Sequence, residues 1–220
     1  DGAGIAIASG SNVTIRASAL SGNVATGNGG AIFLSGTLVL DRVTIDGNQA
    51  SDGGGIYLNN NPSTTLSNVT ISGNTATSDG GAIYIKNTLG SLTNSTIANN
   101  TAGSGAGGIQ LQGSGDANLK NTILANNTGG NASGALTSLG HNIDSANTAA
   151  LSGSGDQINT NPLLGTLQYN GGPTKTHALL AGSPAINAGT AVGAPAVDQR
   201  GGVRDATPDI GAYEFGAVVN

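Results

Sequence analysis

The sequence predicts an all-β protein wound as a parallel β-helix of about five to six coils, with an irregular C-terminal cap. Three observations carry this. The chain restates itself every 24 to 27 residues, and apolar and polar residues alternate within each copy. The copies are joined by runs of Gly, Asn, Ser, Thr and Asp.

The first strand of each copy reads G-[AG]-I-x-[IL] and places Ile5, Ile32, Ile56, Ile83 and Ile109 in one column. A second apolar column holds Ile15, Leu40, Leu66, Leu92 and Leu119, and a third holds Leu20, Ile45, Ile71, Ile97 and Leu124. Period two means an extended strand with one buried face. Each strand is too short to bury that face alone. Stacking equivalent strands in parallel, roughly 4.8 Å apart, turns the columns into one core. A leucine-rich horseshoe is the competing repeat of this length, but its Leu-rich signature is missing and no segment reads as helix.

The joins follow the same logic. Gly serves where the coil turns with positive φ or where a Cβ would clash. Asn23, Asn48, Asn74, Asn100 and Asn127 close successive third strands. An amide can donate to one neighbour and accept from the other, so these residues are expected to form a ladder along the stack. Stacked like charges repel, which suits a chain with only 9% charged residues. Arg16 shares a column with Asp41 and should meet it one coil away. The repeats fill 1–150, with 136–145 as a degenerate sixth coil. The non-repeating 151–220 is expected to cap the exposed end of the stack.

Composition excludes several classes. Hydrophobic residues make up 37%, too many for a disordered tail of low charge. A net charge of −5 argues against a nucleic-acid partner. With no Cys there is no disulfide framework or thiolate metal site. No apolar run is long enough to span a bilayer as a helix. The opening "DGAGIAIASG" already looks like part of a repeat, as expected of a mature or excised fragment.

Catalytic groups are sparse. Polysaccharide hydrolysis needs two closely placed carboxylates, and elimination needs an acidic cluster with a base. The acidic residues of the coils are Asp1, Asp41, Asp46, Asp52, Asp79 and Asp116. Only Asp52 and Asp79 share a column, each before a Gly pair, where Asx turns are the ordinary reading. They are the only candidates for a calcium site, and two carboxylates are few for six to eight oxygen ligands. His141 and His177 are isolated and read as a turn and a cap residue. Asp198, Arg200, Arg204, Asp205, Asp209 and Glu214 form the densest charge cluster, read as salt bridges that tie down the cap. The chain is accordingly expected to be non-enzymatic and without a cofactor.

Two outward columns remain. Phe33, Tyr57 and Tyr84 occupy the same outward position of successive coils and form a candidate platform for a surface glycan, a protein ligand or sister subunits. Stacked aromatics that merely support neighbouring strands are the plainer reading. Thr44, Thr70 and Thr96 form the second column. An ice-binding face would want paired Thr columns, whereas the adjacent Asp46, Ser72 and Ala98 vary.

The segment "NPLLGTLQYNGGPTKTHALLAGSPAINAG" followed by "DQRGGVRDATPDIGAYEF" resembles the end of the choice-of-anchor Q domain of bacterial surface proteins. The "GGAIY" and "TISGNTA" phrases resemble the repeats ahead of it, and are similar to those of polymorphic outer-membrane proteins. This resemblance implies a right-handed parallel β-helix in an extracellular or cell-surface protein, with no catalytic residue to carry over. An adhesive or structural role is the expectation. A subunit stacking end to end into a fibre, and a carbohydrate-active β-helix enzyme, are the alternatives.

Overall fold

The computed structural model describes residues 2, 4–59, 63–113, 116–134 and 136–219; Asp1 lies outside them. Every copy of the repeat adds one coil. The first strands, Ile5–Ile7, Ile32–Leu34, Ile56–Leu58, Ile83–Ile85, Ile109–Leu111 and Ala132–Ser133, form one parallel sheet in chain order. The Ile column is in register throughout, Ile5 on Ile32, Ile32 on Ile56, Ile83 on both Ile56 and Ile109.

The second and third strands share a larger sheet. In two coils they run together as Thr37–Asp46 and Thr64–Ser72. The bend between them falls on a residue of positive φ, Arg42 in one and Asn68 in the other. Leu40 pairs Leu66 and Ile45 pairs Ile71 across this coil interface. Two-residue strands, Gln49–Ala50, Thr75–Ala76 and Thr101–Ala102, form a third small sheet.

The apolar columns meet in the middle of the stack. Ile32, Leu40, Ile45, Ile56, Leu66, Ile71, Ile83 and Ile97 are all fully buried in one continuous core. The tight corners need glycine. A Cβ on Gly53, at φ +63°, would lie 2.4 Å from the Ile56 carbonyl oxygen, and one on Gly54 would lie 2.5 Å from that of Thr75.

The C-terminal part differs from the expected cap. The stack continues past residue 150: Leu151 and Ala149 join the main core, and Gln157–Ile158 still pairs in parallel with Ile143–Asp144. The chain then turns back and lies along the side of the coils. It forms an antiparallel hairpin, Leu164–Tyr169 with Lys175–Leu179, followed by irregular structure. A second core holds it there, with Ile123, Ala125 and Ile143 of the coils against Leu179, Ala185 and Ile210. The reason is chemical. Ile123 and Ala125 face outward from the third strand and would be exposed without this cover.

Candidate functional site

The asparagine ladder is continuous. Nδ2 donates to the Oδ1 of the next coil from Asn23 to Asn48 at 2.8 Å, and at 2.9 Å from Asn48 to Asn74, Asn74 to Asn100 and Asn100 to Asn127. Each of these four Oδ1 atoms also accepts the backbone N–H of the preceding asparagine. The ladder runs further than its sequence column suggests. Asn127 donates to Asn131, and Asn131 donates to Asp144. A carboxylate only accepts, so Asp144 suits the end of a row in which every member passes a donor forward. It takes the backbone N–H groups of Ala146 and Ala149 as well.

The aromatic column is a face-to-face stack. Phe33 and Tyr57 have ring centroids 5.4 Å apart and planes 5° from parallel; Tyr57 and Tyr84 are 5.0 Å and 2° apart. This geometry limits what the column can offer a ligand. Tyr57 and Tyr84 are each only 7% exposed; Tyr57 carries a ring on both faces, Tyr84 on one, and Phe33 is half-buried. A sugar ring stacks on an aromatic face, and here mainly edges are on offer. Burial raises the Tyr57 hydroxyl pKa, with Asp52 adding to it.

Asp52 and Asp79 lie beside this stack. Asp52 Oδ1 accepts the N–H of Asp79 at 3.2 Å, and Asp79 Oδ1 accepts that of Gly105 at 2.6 Å. Both carboxylates thus link successive turns. Among the described residues no group of three His, Cys, Asp or Glu gathers around a common point.

The outward Thr column lies beneath the C-terminal segment. Gln199 is fully buried and threads between coils: its Nε2 donates to Thr44 Oγ1, and its Oε1 accepts from Thr70 Oγ1 at 2.6 Å. Thr96 Oγ1 accepts the N–H of Ala212. A neighbouring turn column completes the seam. Asn68, Asn94 and Asn121 all sit at positive φ and bond to Val197, Asp209 and Thr190 respectively. Sequence reasoning missed these three. Their shared column along the repeat was the signal that could have found them.

The charge cluster forms a buried knot. Arg204 Nη1 pairs with Glu214 Oε2 at 2.8 Å, and Arg200 Nη2 with Asp198 Oδ2 at 2.7 Å. The Arg200 guanidinium also lies 3.7 Å from the centre of the Tyr213 ring. Arg204 Nη2 reaches Asn68 Oδ1, tying the knot to the coils. Asp209 accepts the N–H groups of Asn187 and Phe215, yet burial outweighs them and pushes its pKa up to about 6. Asp205 alone of the six is exposed, and it accepts from Thr207.

Neither histidine is free. His177 is buried, with Nε2 2.9 Å from Ser72 Oγ and Nδ1 2.7 Å from the Gly165 carbonyl. Burial lowers its pKa despite that carbonyl. The Ser72–His177 contact joins the C-terminal hairpin to the coils. His141 occupies the same left-handed turn position as Asn121 and bonds to the carbonyl of Ala188.

A family model described as the right-handed β-helix region matches residues 1–161. The chain belongs to that family. The match ends just beyond Ile158, where the last parallel pairing of the β-helix also ends. Neither curated proteins nor solved structures gave a match to this β-helix.

Proposed function

We propose that this β-helix is a non-catalytic structural element of an extracellular surface protein, offering a rigid polar surface for adhesion. The observation that carries the proposal is where its reactive side chains are engaged. Asp52 and Asp79 accept backbone amides of the following turns, His177 joins Ser72 to Gly165, and four buried charges pair with one another. Each therefore serves cohesion between coils, between the coils and the C-terminal segment, or within that segment.

The surface best suited to a ligand is the outward side of the second strand. Thr14, Val39, Thr65, Ser91 and Asn118 form one column there, in register. Arg16, Asp41, Ser67, Thr93 and Lys120 form the next. Arg16 Nε lies 3.8 Å from Asp41 Oδ2 across the first coil interface. The hydroxyls of Thr14, Thr65, Ser67, Ser91 and Thr93, with the Asn118 amide, suit the hydroxyl-rich surface of a glycan better than an apolar partner. The resemblance to bacterial surface domains agrees with this placement outside the cell.

The test is turnover of pectate, polygalacturonate and alginate, with and without calcium. No product above background is expected. A lyase or hydrolase activity abolished by Asp52→Asn, Asp79→Asn or Asp209→Asn would overturn the proposal in favour of a carbohydrate-active enzyme.

A further inference from the structure

Where the C-terminal segment meets the outward polar columns it builds a small cup, about 140 Å³ in volume, between residues 191–196 and 204–208. Both arms of the cup are pinned. The Arg204 N–H donates to the Ala196 carbonyl and the Gly189 N–H to that of Pro208. Thr190 and Asn121 exchange two hydrogen bonds, which fixes the first arm to the turn column of the coils. The outward column that ends at Lys120 is equally near: its Nζ would lie 3.5 Å from a Cβ on Gly193.

The walls are apolar and poor in donors. Ala191, Ala194, Pro195 and Pro208 line them; the prolines carry no N–H, and the Ala194 N–H is spent on the Ala191 carbonyl. Arg204 lines the cup too, although it is only 7% exposed. Its Nη1 serves Glu214 and the Asp209 carbonyl, and its Nη2 serves Asn68 and the Gly211 carbonyl. The buried Nε has no partner among the described residues. A buried donor without an acceptor is costly, and an acceptor reaching that depth would satisfy it. At the rim stands Asp205, exposed, with Oδ1 engaged by Thr207. Asp205 also lines the wider hollow alongside, together with the exposed Phe215.

We propose, building on the glycan-binding reading above, that the cup holds the acetamido group of an N-acetylated sugar. The methyl group packs on the alanine and proline walls, the carbonyl oxygen turns toward Arg204 Nε, and the amide N–H donates to Asp205. The sugar ring then lies over the neighbouring hollow, where Phe215 offers an aromatic surface. Charge selects a neutral group over an anion. Arg204 is already matched by Glu214 at 2.8 Å, and the Asp205 carboxylate at the rim repels a carboxylate or phosphate. An acetamido group brings the acceptor, the donor and the methyl group that the cup can use.

The experiment titrates the whole chain with a trimer of N-acetylglucosamine and with a trimer of glucose. Proton–nitrogen correlation spectra follow the Arg204 Nε–H signal along with the backbone amides. The acetylated trimer should shift that signal and the amides of Ala194 and Asp205 saturably, at least ~10-fold more tightly than the glucose trimer. Ala191→Leu, which fills the cup from an exposed position, and Asp205→Ala should each weaken binding by at least ~10-fold with melting unchanged. Equal binding of the two trimers, with shifts confined to Thr65, Ser91 and Asn118, would overturn the assignment and leave the glycan face standing. No shift with either trimer would overturn it too, as would an acetyl-lysine peptide that binds more tightly than the acetylated trimer. Cleavage of the trimer with the cup signals shifted would keep the cup and defeat only the non-catalytic reading.

Discussion

Asn131 donates its side-chain amide to Oδ1 of Asp144 at 2.7 Å, and this contact ends the ladder that begins at Asn23. The row depends on both chemistries, amides that relay and a carboxylate that only accepts. Asp144→Asn would turn a donor toward groups that already donate, the N–H groups of Ala146 and Ala149 among them. The expected loss is about 1–3 kcal/mol, the cost of one buried donor left without an acceptor. Asn74→Ala should cost more, since Asn74 accepts from Asn48 and donates to Asn100 and two carbonyls. Asn23→Ala, where the asparagine is only half-buried, should cost least. Urea unfolding of the three variants checks that order.

The aromatic column is expected to act on stability. Tyr57 stacks on both Phe33 and Tyr84, and each such pair contributes about 0.5–1.5 kcal/mol beyond area burial. Tyr57→Ser should therefore destabilise by at least about 1–3 kcal/mol. Tyr84→Ser breaks one stack only and should cost less. Equal losses from the two substitutions would show that the rings do not support each other.

Two buried titrating groups should oppose each other in pH dependence. Asp209 has its pKa raised from 3.8 to about 6, so the fold holds its proton more tightly than the unfolded chain does. Its contribution is fully present below about pH 4 and drains away as pH rises through about 6. His177 has its pKa lowered from 6.5, so the unfolded chain takes up that proton first. Its contribution is present above pH 6.5 and is lost as pH falls through its value in the fold. Relative to the parent, the cost of Asp209→Asn should shrink from acid to neutral pH, and that of His177→Gln should grow. Denaturant unfolding at a series of pH values reads both slopes.

The coils were legible because their physics is local and repeated. A two-residue alternation identifies the strands, and the repeat length sets which residues pair, so the Ile, Leu and Asn columns could be read directly. The C-terminal segment was not legible in the same way. Nothing in "VDQRGGVRDATPDIGAYEF" repeats, and Gln199 or Arg204 takes its meaning only from Thr70 and Asn68, more than a hundred residues away. The aromatic column was found but its geometry was not. Sequence places the three rings on one side, while their face-to-face stacking depends on how closely the coils pack. The outward Ile123 and Ala125 were the clue that the third strand has a cover. They sit where a solvent-facing column would carry Thr or Ser.

The central claim is that coils and C-terminal segment form one cooperative unit, joined by Gln199, the Arg204–Glu214 knot and the second core. Native-state hydrogen exchange tests this most directly, by comparing amides of Thr64–Ser72 in the coils with those of Lys175–Leu179 in the hairpin. Opening free energies for the slowest amides of both should converge on the same global value as denaturant rises. Hairpin amides that exchange through a separate opening of far lower free energy, while the coil amides stay protected, would contradict the account.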